Sequence, residues 1–272
     1  MSPGVGTVYH WELTKLRYQK RTYLGLGGAT VVPILFVLAT HFEHAQHADF
    51  AFGSYINRSG LAIPLVILLF GAVWLFPLIT ALVAGDIVAS EDHNGTLKTI
   101  LTRSLERGQI FAGKTLAATT YAVAAIFLTG TVAVLAGSLQ SGFNPLQSLS
   151  GTIVPAPKAL GLVYGSLLVY LIPILAIVCI GLLLSSITRN SAAAVVGTLM
   201  FSLLIQLIGI LPGLGSLQPY LLSTQFNAWQ GLLRQPIDWA VIVRAAWVCA
   251  LYGVPALAGA YLVFLRRDVA GG

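Results

Sequence analysis

Six long apolar runs dominate this sequence and restrict the folds available to it. Each run, coiled as an α-helix, is long enough to cross the roughly 30 Å hydrocarbon core of a bilayer. The composition agrees, because only 9% of the residues are charged, against about 25% in soluble domains. We therefore predict an all-α integral membrane protein with a single transmembrane domain over residues 1–272. Its six transmembrane helices are predicted at residues 22–40, 61–85, 115–137, 159–184, 191–211 and 243–265.

The distribution of basic residues predicts how the helices are oriented. An even number of spans places both termini on one side of the membrane. That side would hold eleven of the 15 Lys and Arg residues and the other side four. Because basic loops stay inside, we expect both termini in the cytoplasm of a multi-pass protein of a prokaryotic inner membrane. The bases are dispersed between apolar runs rather than gathered in one patch, so we expect no nucleic-acid partner.

Two segments outside the spans have a helical pattern of their own. In residues 1–21, Tyr9, Leu13 and Leu16 recur at helical spacing, with Glu12 and Lys15 off that stripe. This pattern predicts an amphipathic helix lying on the cytoplasmic membrane surface. Residues 212–239 are mildly polar and rich in Trp and Tyr. They predict interfacial or re-entrant helices on the outer side, where such aromatics are favoured.

The most charged segment, residues 86–114, follows the second span. Asn94 is placed to cap a short helix, and Glu91 lies near the positive end of that helix. Leu97 and Leu101 then fall on one apolar face. Such an apolar face needs a surface to pack against. The residue pattern does not distinguish three candidates for that surface: the membrane, another part of this chain, or a separate subunit.

The same segment resembles the type 2 ABC exporter permeases. After their second span these carry an acidic residue, then Gly-Thr-Leu, a run like Leu-Leu-Thr-Arg-Pro-Leu-Ser-Arg, and Gly-Lys before the third span. Here the matching residues are Glu91, 95–97, 100–107 and Gly113-Lys114, with Ser104 in place of the usual Pro. Residues 12–15 resemble the N-terminal elbow helix of that family. Residues 181–191 resemble its connection between the fourth and fifth spans.

The resemblance implies a permease subunit of an ATP-driven exporter rather than an enzyme. Two such subunits, either two copies of this chain or this chain with a homologous permease, would form the pathway within the lipid. Separate ABC nucleotide-binding subunits would bind ATP and Mg and hydrolyse the ATP. This chain would bind no cofactor, and we expect it to lack a Gly-x-x-x-x-Gly-Lys-Ser/Thr phosphate loop.

In this family the loop after the second span is the coupling loop, which contacts the ATPase. We therefore expect residues 86–114 to form that loop, with Asn94 to Leu105 as its coupling helix and Glu91 pairing with a basic group on the partner. The residues expected to couple to the ATPase are Glu91, Asn94, Gly95, Thr96, Leu97, Lys98, Leu101 and Arg103.

Polar residues of the fifth span are the candidates for a substrate pathway. Thr198, Ser202 and Gln206 lie on one helical face, and they either touch substrate or hydrogen-bond between helices. Composition favours an amphipathic cargo but does not distinguish a drug, peptide, lipid or glycan.

Two other function classes and a metal site have less support. A secondary transporter usually carries ionisable residues inside its spans, and the first five predicted span cores have none. A membrane-embedded enzyme would need a motif such as His-Glu-x-x-His or Gly-x-Ser-x-Gly, and neither occurs. His41, His44 and His47 recur in the first outer loop, but nothing around them fixes a ligand geometry, so no metal site is predicted.

Overall fold

The computed structural model describes residues 4–42, 55–56, 58–93, 106–188, 190–211 and 215–266. The predicted coupling helix, Asn94 to Leu105, and His44 and His47 of the first outer loop lie outside those residues. The described part is largely helical. Its α-helices are α1 Val5–Tyr18, α2 Lys20–Phe42, α3 Ala62–Gly71, α4 Leu75–Ala84, α5 Ala89–His93, α6 Arg107–Ser141, α7 Ala156–Ile187, α8 Ser191–Ile210, α9 Leu222–Gln225 and α10 Trp239–Leu265.

The helices support a membrane protein of the predicted all-α class. Five of them, α2, α6, α7, α8 and α10, are long and apolar enough to cross a membrane, and the α3–α4 pair makes up to a sixth span. Most extend beyond the predicted bounds. Helix α6 begins at Arg107 rather than near Thr115, because Ile110 and Phe111 are buried against neighbouring helices. The end of the expected coupling loop is therefore the first two turns of the third span.

The second span is broken rather than continuous over 61–85. Helices α3 and α4 meet at an angle of 62° across residues 72–74. Pro77 contributes to this break, because it has no N–H to donate to the carbonyl of Val73 four residues earlier. The carbonyl of Ala72 accepts a hydrogen bond of 3.2 Å from the side-chain amide of Gln206 on α8. A neighbouring helix thus satisfies a backbone group at the break.

Helix α7 occupies the centre of the bundle. It packs against α10, α4, α6 and α8, and it is the most buried of the candidate spans. Tyr170 near its middle is fully buried between Phe76 of α4 and Phe226, with ring centroids 5.0 and 5.5 Å away. Edge-to-face aromatic contacts of this kind add to the packing of the core.

The end of the bundle at which α6 ends and α7 begins is covered by short elements. A two-stranded antiparallel ribbon, β1 Leu146–Gln147 with β2 Ile153–Val154, joins α6 to α7. Helix α9 and two 3₁₀ helices, Gln218–Tyr220 and Ala228–Leu233, occupy the region predicted to hold interfacial helices. The backbone N–H of Leu149, between β1 and β2, donates a hydrogen bond of 2.9 Å to the carbonyl of Leu233. This bond connects the ribbon to the second 3₁₀ helix.

Candidate functional site

A buried cluster of charged side chains lies at the opposite end of the bundle, where the expected coupling loop leaves α4 and returns to α6. We call it the ion cluster, and it is absent from the sequence-based predictions. Three of the chain's nine acidic residues meet three bases there. The members of the ion cluster are Glu12, Lys15, Arg21, Asp86, Glu91 and Lys114.

Lys114 is the centre of the ion cluster. Its ammonium nitrogen lies 2.9 Å from Oε1 of Glu12 and 2.6 Å from Oε2 of Glu91. It also donates to the carbonyl oxygen of Ile87 at 3.1 Å. The side chain is completely buried, so removing it from water is unfavourable by several kcal/mol. The two carboxylates and the carbonyl offset that penalty by pairing the charge and satisfying its donors.

Lys15 extends the ion cluster towards solvent. Its ammonium contacts the carboxylate of Glu91 and lies 3.6 Å from that of Glu12. Burial of the amine, together with the nearby charge of Lys114, lowers the pKa of Lys15 to about 8, against the ordinary 10.5. The acids act in the opposite direction but do not cancel the desolvation. The ammonium of Lys15 therefore loses its proton at a lower pH than that of an ordinary lysine.

Arg21 and Asp86 form the second half of the ion cluster. The guanidinium of Arg21 pairs with the Asp86 carboxylate and donates to the hydroxyl of Ser191 at 2.8 Å. That hydroxyl in turn donates to Asp86. The side chain of Asn190 caps α8 by accepting from the N–H of Ala193 at 3.2 Å, so the helix begins at Ser191. This cap positions the hydroxyl between the two charges.

Close helix contact brings α1 to the ion cluster. A Cβ placed on Gly113 would lie 2.6 Å from Cγ1 of Val8, so α1 can approach α6 this closely only because residue 113 is glycine. The next residue on α6 is Lys114, which then reaches Glu12. Glu12 was expected off the apolar stripe of α1, but it is only 6% exposed and lies on the buried face. The expectation fails because Lys114 neutralises it there.

The spans also pack tightly where Asp86 emerges. A Cβ on Gly85 would lie 2.9 Å from Cα of Val195 on α8. The hydroxyl of Ser185 on α7 accepts from the N–H groups of Val88 and Ala89 at 3.1 and 3.0 Å. It thereby satisfies donors at the start of α5, which would otherwise be unpaired in a buried position. The chain before residue 94 is thus anchored to the fourth and fifth spans.

The chain after residue 105 is anchored too. The guanidinium of Arg107 donates to the carbonyl of Leu265 at 2.6 Å. Phe111 packs against Tyr261 and Phe264 of α10, with centroid distances of 5.5 and 5.6 Å. Both flanks of segment 94–105 therefore end in well-packed positions on the helix bundle.

Of the residues expected to couple to the ATPase, the structure describes Glu91. Its carboxylate lies on Lys15 and Lys114 of its own chain rather than being directed to a partner. An acid in a loop was expected to be available to another subunit, whereas folding buries this one to 4% exposure. The other expected coupling residues lie outside the described ranges: Asn94, Gly95, Thr96, Leu97, Lys98, Leu101 and Arg103.

The expectation that the chain lacks the phosphate-loop residue pattern is wrong, but the structure gives that pattern another role. Gly108, Gly113, Lys114 and Thr115 match Gly-x-x-x-x-Gly-Lys-Thr in spacing. A phosphate loop needs an open, glycine-rich turn between a strand and a helix. These residues instead lie within the continuous helix α6, and the ammonium of Lys114 is fully buried in contact with two carboxylates of its own chain.

The candidate pathway residues of the fifth span face other helices. Thr198 and Ser202 are buried, at 0% and 2% exposure. The hydroxyl of Thr198 donates to the Ala194 carbonyl of its own helix at 2.8 Å. Gln206 reaches Ala72 at the break in the second span. Gln206 thus makes a hydrogen bond between helices, whereas the hydroxyl of Thr198 bonds within its own helix.

These features define a multi-pass, largely helical membrane protein in which six charged side chains converge at one end of the bundle. Residues 10–205 match the family described as ABC-2 family transporter protein, and the chain belongs to that family. The resemblance to ABC exporter permeases is thereby confirmed at the level of the family. Members are membrane components of transporters, and the family implies association with an ATP-binding subunit. No curated protein matches the chain in sequence.

Proposed function

We propose that this protein is the transmembrane permease subunit of an ATP-driven ABC exporter, with both termini in the cytoplasm. Two subunits, identical or homologous, form the translocation pathway, and separate ABC ATPase subunits supply the energy. The observation that carries the proposal is the ion cluster. It joins both flanks of segment 94–105 to α1 and to helix ends of the first, second and fifth spans.

This connection is suited to transmitting movement. A displacement of segment 94–105 acts on Glu91 before it and on Arg107 after it. Glu91 is paired with Lys114 and Lys15, so α1 and α6 move with it. Asp86 carries the same displacement to Arg21 and Ser191. Buried ion pairs are unfavourable to break one at a time, because each leaves an unpaired charge, and this favours movement as one body.

Residues Asn94 to Leu105 are the proposed coupling helix that docks into the ATPase. Leu97 and Leu101 supply the apolar face, and burying such side chains is worth about 1.5–3 kcal/mol each. Gly95 permits a turn in which a larger residue would be strained. Because the carboxylate of Glu91 is engaged inside the bundle, its role in this scheme is to hold the loop rather than to bind the partner.

The cargo is proposed to be amphipathic: a drug, peptide, lipid or glycan. In the described spans the acids and the Lys and Arg residues lie near helix ends. This favours ATP-driven transport over a carrier coupled to protons, which would need such groups at mid-membrane depth. Among the candidate pathway residues, Ser202 has a buried hydroxyl with no hydrogen-bond partner in the described part of the chain. A substrate polar group would satisfy it.

The test is a pair of double variants in the proposed coupling helix. Leu97→Asp with Leu101→Asp places two charges on the apolar face. Thr99→Asp with Thr102→Asp adds the same charge largely off that face and is the matched control. We expect the first variant to insert normally but to lose co-purification of the co-expressed ATP-binding subunit, and the control to retain it. If the leucine variant still assembles and transports at the wild-type rate, segment 94–105 is not the coupling element.

A further inference from the structure

A polar pocket of about 390 Å³ opens beside the ion cluster, between α1, the start of α2 and the chain leading into α5. Its lining carries the donors of Lys15, Gln19, Lys20 and Arg21, the carboxylates of Glu12 and Glu91, and the apolar side chain of Ile87. We name it the elbow pocket. A lining of basic and apolar side chains beside a membrane span fits the head group and glycerol region of a phospholipid better than a free polar solute.

The charge around the elbow pocket favours an anion. Lys15, Lys20 and Arg21 line the pocket together with the carboxylates of Glu12 and Glu91, which leaves one positive charge in excess. The carboxylate of Glu91 is turned onto Lys114 and Lys15. Lys20 is exposed and forms no ion pair within the described residues. A phosphate would give this cation a partner, and charge-assisted hydrogen bonds to phosphate are among the strong ones.

Neighbouring apolar residues place the elbow pocket at the depth of lipid head groups. Trp11 and Tyr18 on α1 are 45% and 81% exposed, and Tyr23 and Leu24 follow the pocket on α2 at 59% and 65%. Large exposed side chains of this kind are stable against lipid, and Trp and Tyr favour the interface. The first span therefore enters the bilayer immediately beyond Lys20 and Arg21.

We infer that the elbow pocket binds the phosphate group of an anionic phospholipid, with Lys20, Arg21 and Gln19 as donors. This inference depends on the chain being membrane-embedded, and it does not require an ATPase partner. Burial lowers the pKa of Lys15 to about 8 even though the carboxylates of Glu12 and Glu91 lie beside it. A bound phosphate would restore the charged form of this amine.

The test uses the full-length chain, purified without any ATPase, and native mass spectrometry with added lipid. The wild type is expected to bind phosphatidylglycerol about tenfold more tightly than phosphatidylcholine, and Lys20→Gln should reduce this preference about fivefold. Gln19→Glu, which adds an acid to the pocket wall, should abolish it. Arg17→Gln removes an exposed cation from α1 outside the pocket wall, and it should change the preference less than twofold.

Three results would overturn the inference. The first is an equal preference of the wild type for both lipids. The second is an equal loss in Arg17→Gln and Lys20→Gln, which would indicate general surface charge. The third comes from a competition experiment with soluble glycerol phosphate. If glycerol phosphate displaces phosphatidylglycerol at equal concentration, the site binds a soluble phosphate instead. If Lys20→Gln lowers the melting temperature of the protein, its lipid preference is set aside. The lipid preference of Gln19→Glu then decides whether the elbow pocket binds the anionic lipid. Because no ATPase is present, these outcomes are independent of the coupling test.

Discussion

The ammonium of Lys114 lies 2.6 Å from Oε2 of Glu91, and this ion pair joins the two flanks of segment 94–105 across the end of the bundle. Glu91 lies in the last turn before that segment, and Lys114 two turns into the helix after it. The same ammonium holds Glu12 of α1 at 2.9 Å. One buried amine therefore sets the position of three parts of the chain relative to one another.

Removing that amine should destabilise the protein severely. Lys114→Met leaves the carboxylates of Glu12 and Glu91 without their buried partner, a loss of about 3–5 kcal/mol for a broken buried pair. The measurement is thermal unfolding in detergent. Lys158→Met, an exposed lysine in the first turn of α7, is the control and should melt like the wild type. Adding Glu91→Gln to Lys114→Met should recover part of the loss. An unchanged melting temperature for Lys114→Met would contradict the arrangement.

Gln206 should contribute to stability through the break in the second span. Gln206→Leu keeps the size of the side chain but leaves the Ala72 carbonyl unsatisfied in a buried position, at a cost of about 1–3 kcal/mol. Chemical or thermal unfolding measures this. Gln218→Leu, whose exposed amide reaches the Gly209 carbonyl at 3.4 Å, is the matched control and should be nearly neutral. Equal effects of the two substitutions would show that the bond to Ala72 is unimportant.

Lys15 should react as an unusually acidic amine. Since its pKa is lowered to about 8, acylation by an amine-specific reagent should reach half its maximal rate near pH 8. In the denatured chain the midpoint should return to about 10.5. Between these pH values the Lys15 amine is more protonated in the unfolded chain than in the folded chain. The contribution of Lys15 to the free energy of unfolding therefore rises with pH over that range.

The same acylation assay tests whether Lys114 contributes to the lowered pKa of Lys15. Lys114 is the largest charged contributor that lowers the pKa of Lys15. In Lys114→Met protein kept below its melting temperature, the acylation midpoint of Lys15 should therefore move upward, read peptide by peptide by mass spectrometry. A midpoint that stays near pH 8, or falls, would mean that Lys114 does not act on Lys15.

Membrane orientation is tested by thiol labelling of whole cells. In a background without Cys179 and Cys249, Ser141→Cys at the end of α6 should react with an impermeant reagent. Ser104→Cys, in the proposed coupling helix, should be protected, because the positive-inside rule places it in the cytoplasm. The reverse pattern would invert the topology. Labelling of both positions would show that the α3–α4 pair or another helix does not span.

The Gly-Lys motif before the third span shows what a sequence pattern can and cannot predict. Gly113-Lys114 can be recognised in the sequence as a motif, but the structural role of these two residues cannot. The glycine admits Val8 and the lysine neutralises Glu12, so the pair is a docking point for α1. A signal was present in the sequence, because an acid and a base in otherwise apolar surroundings need partners. Which partners they find depends on packing that no local pattern encodes.

The sequence by itself determined the membrane class and the family, because these depend on composition within windows of about 20 residues and on contiguous motifs. Only the tertiary structure decided the break in the second span and the convergence of six charged side chains, four of them buried, at one end of the bundle. Glu12 and Lys114 are 102 residues apart. Their pairing exists because helices separated in sequence pack side by side, and it is stable because a charge taken out of water requires an opposite charge beside it.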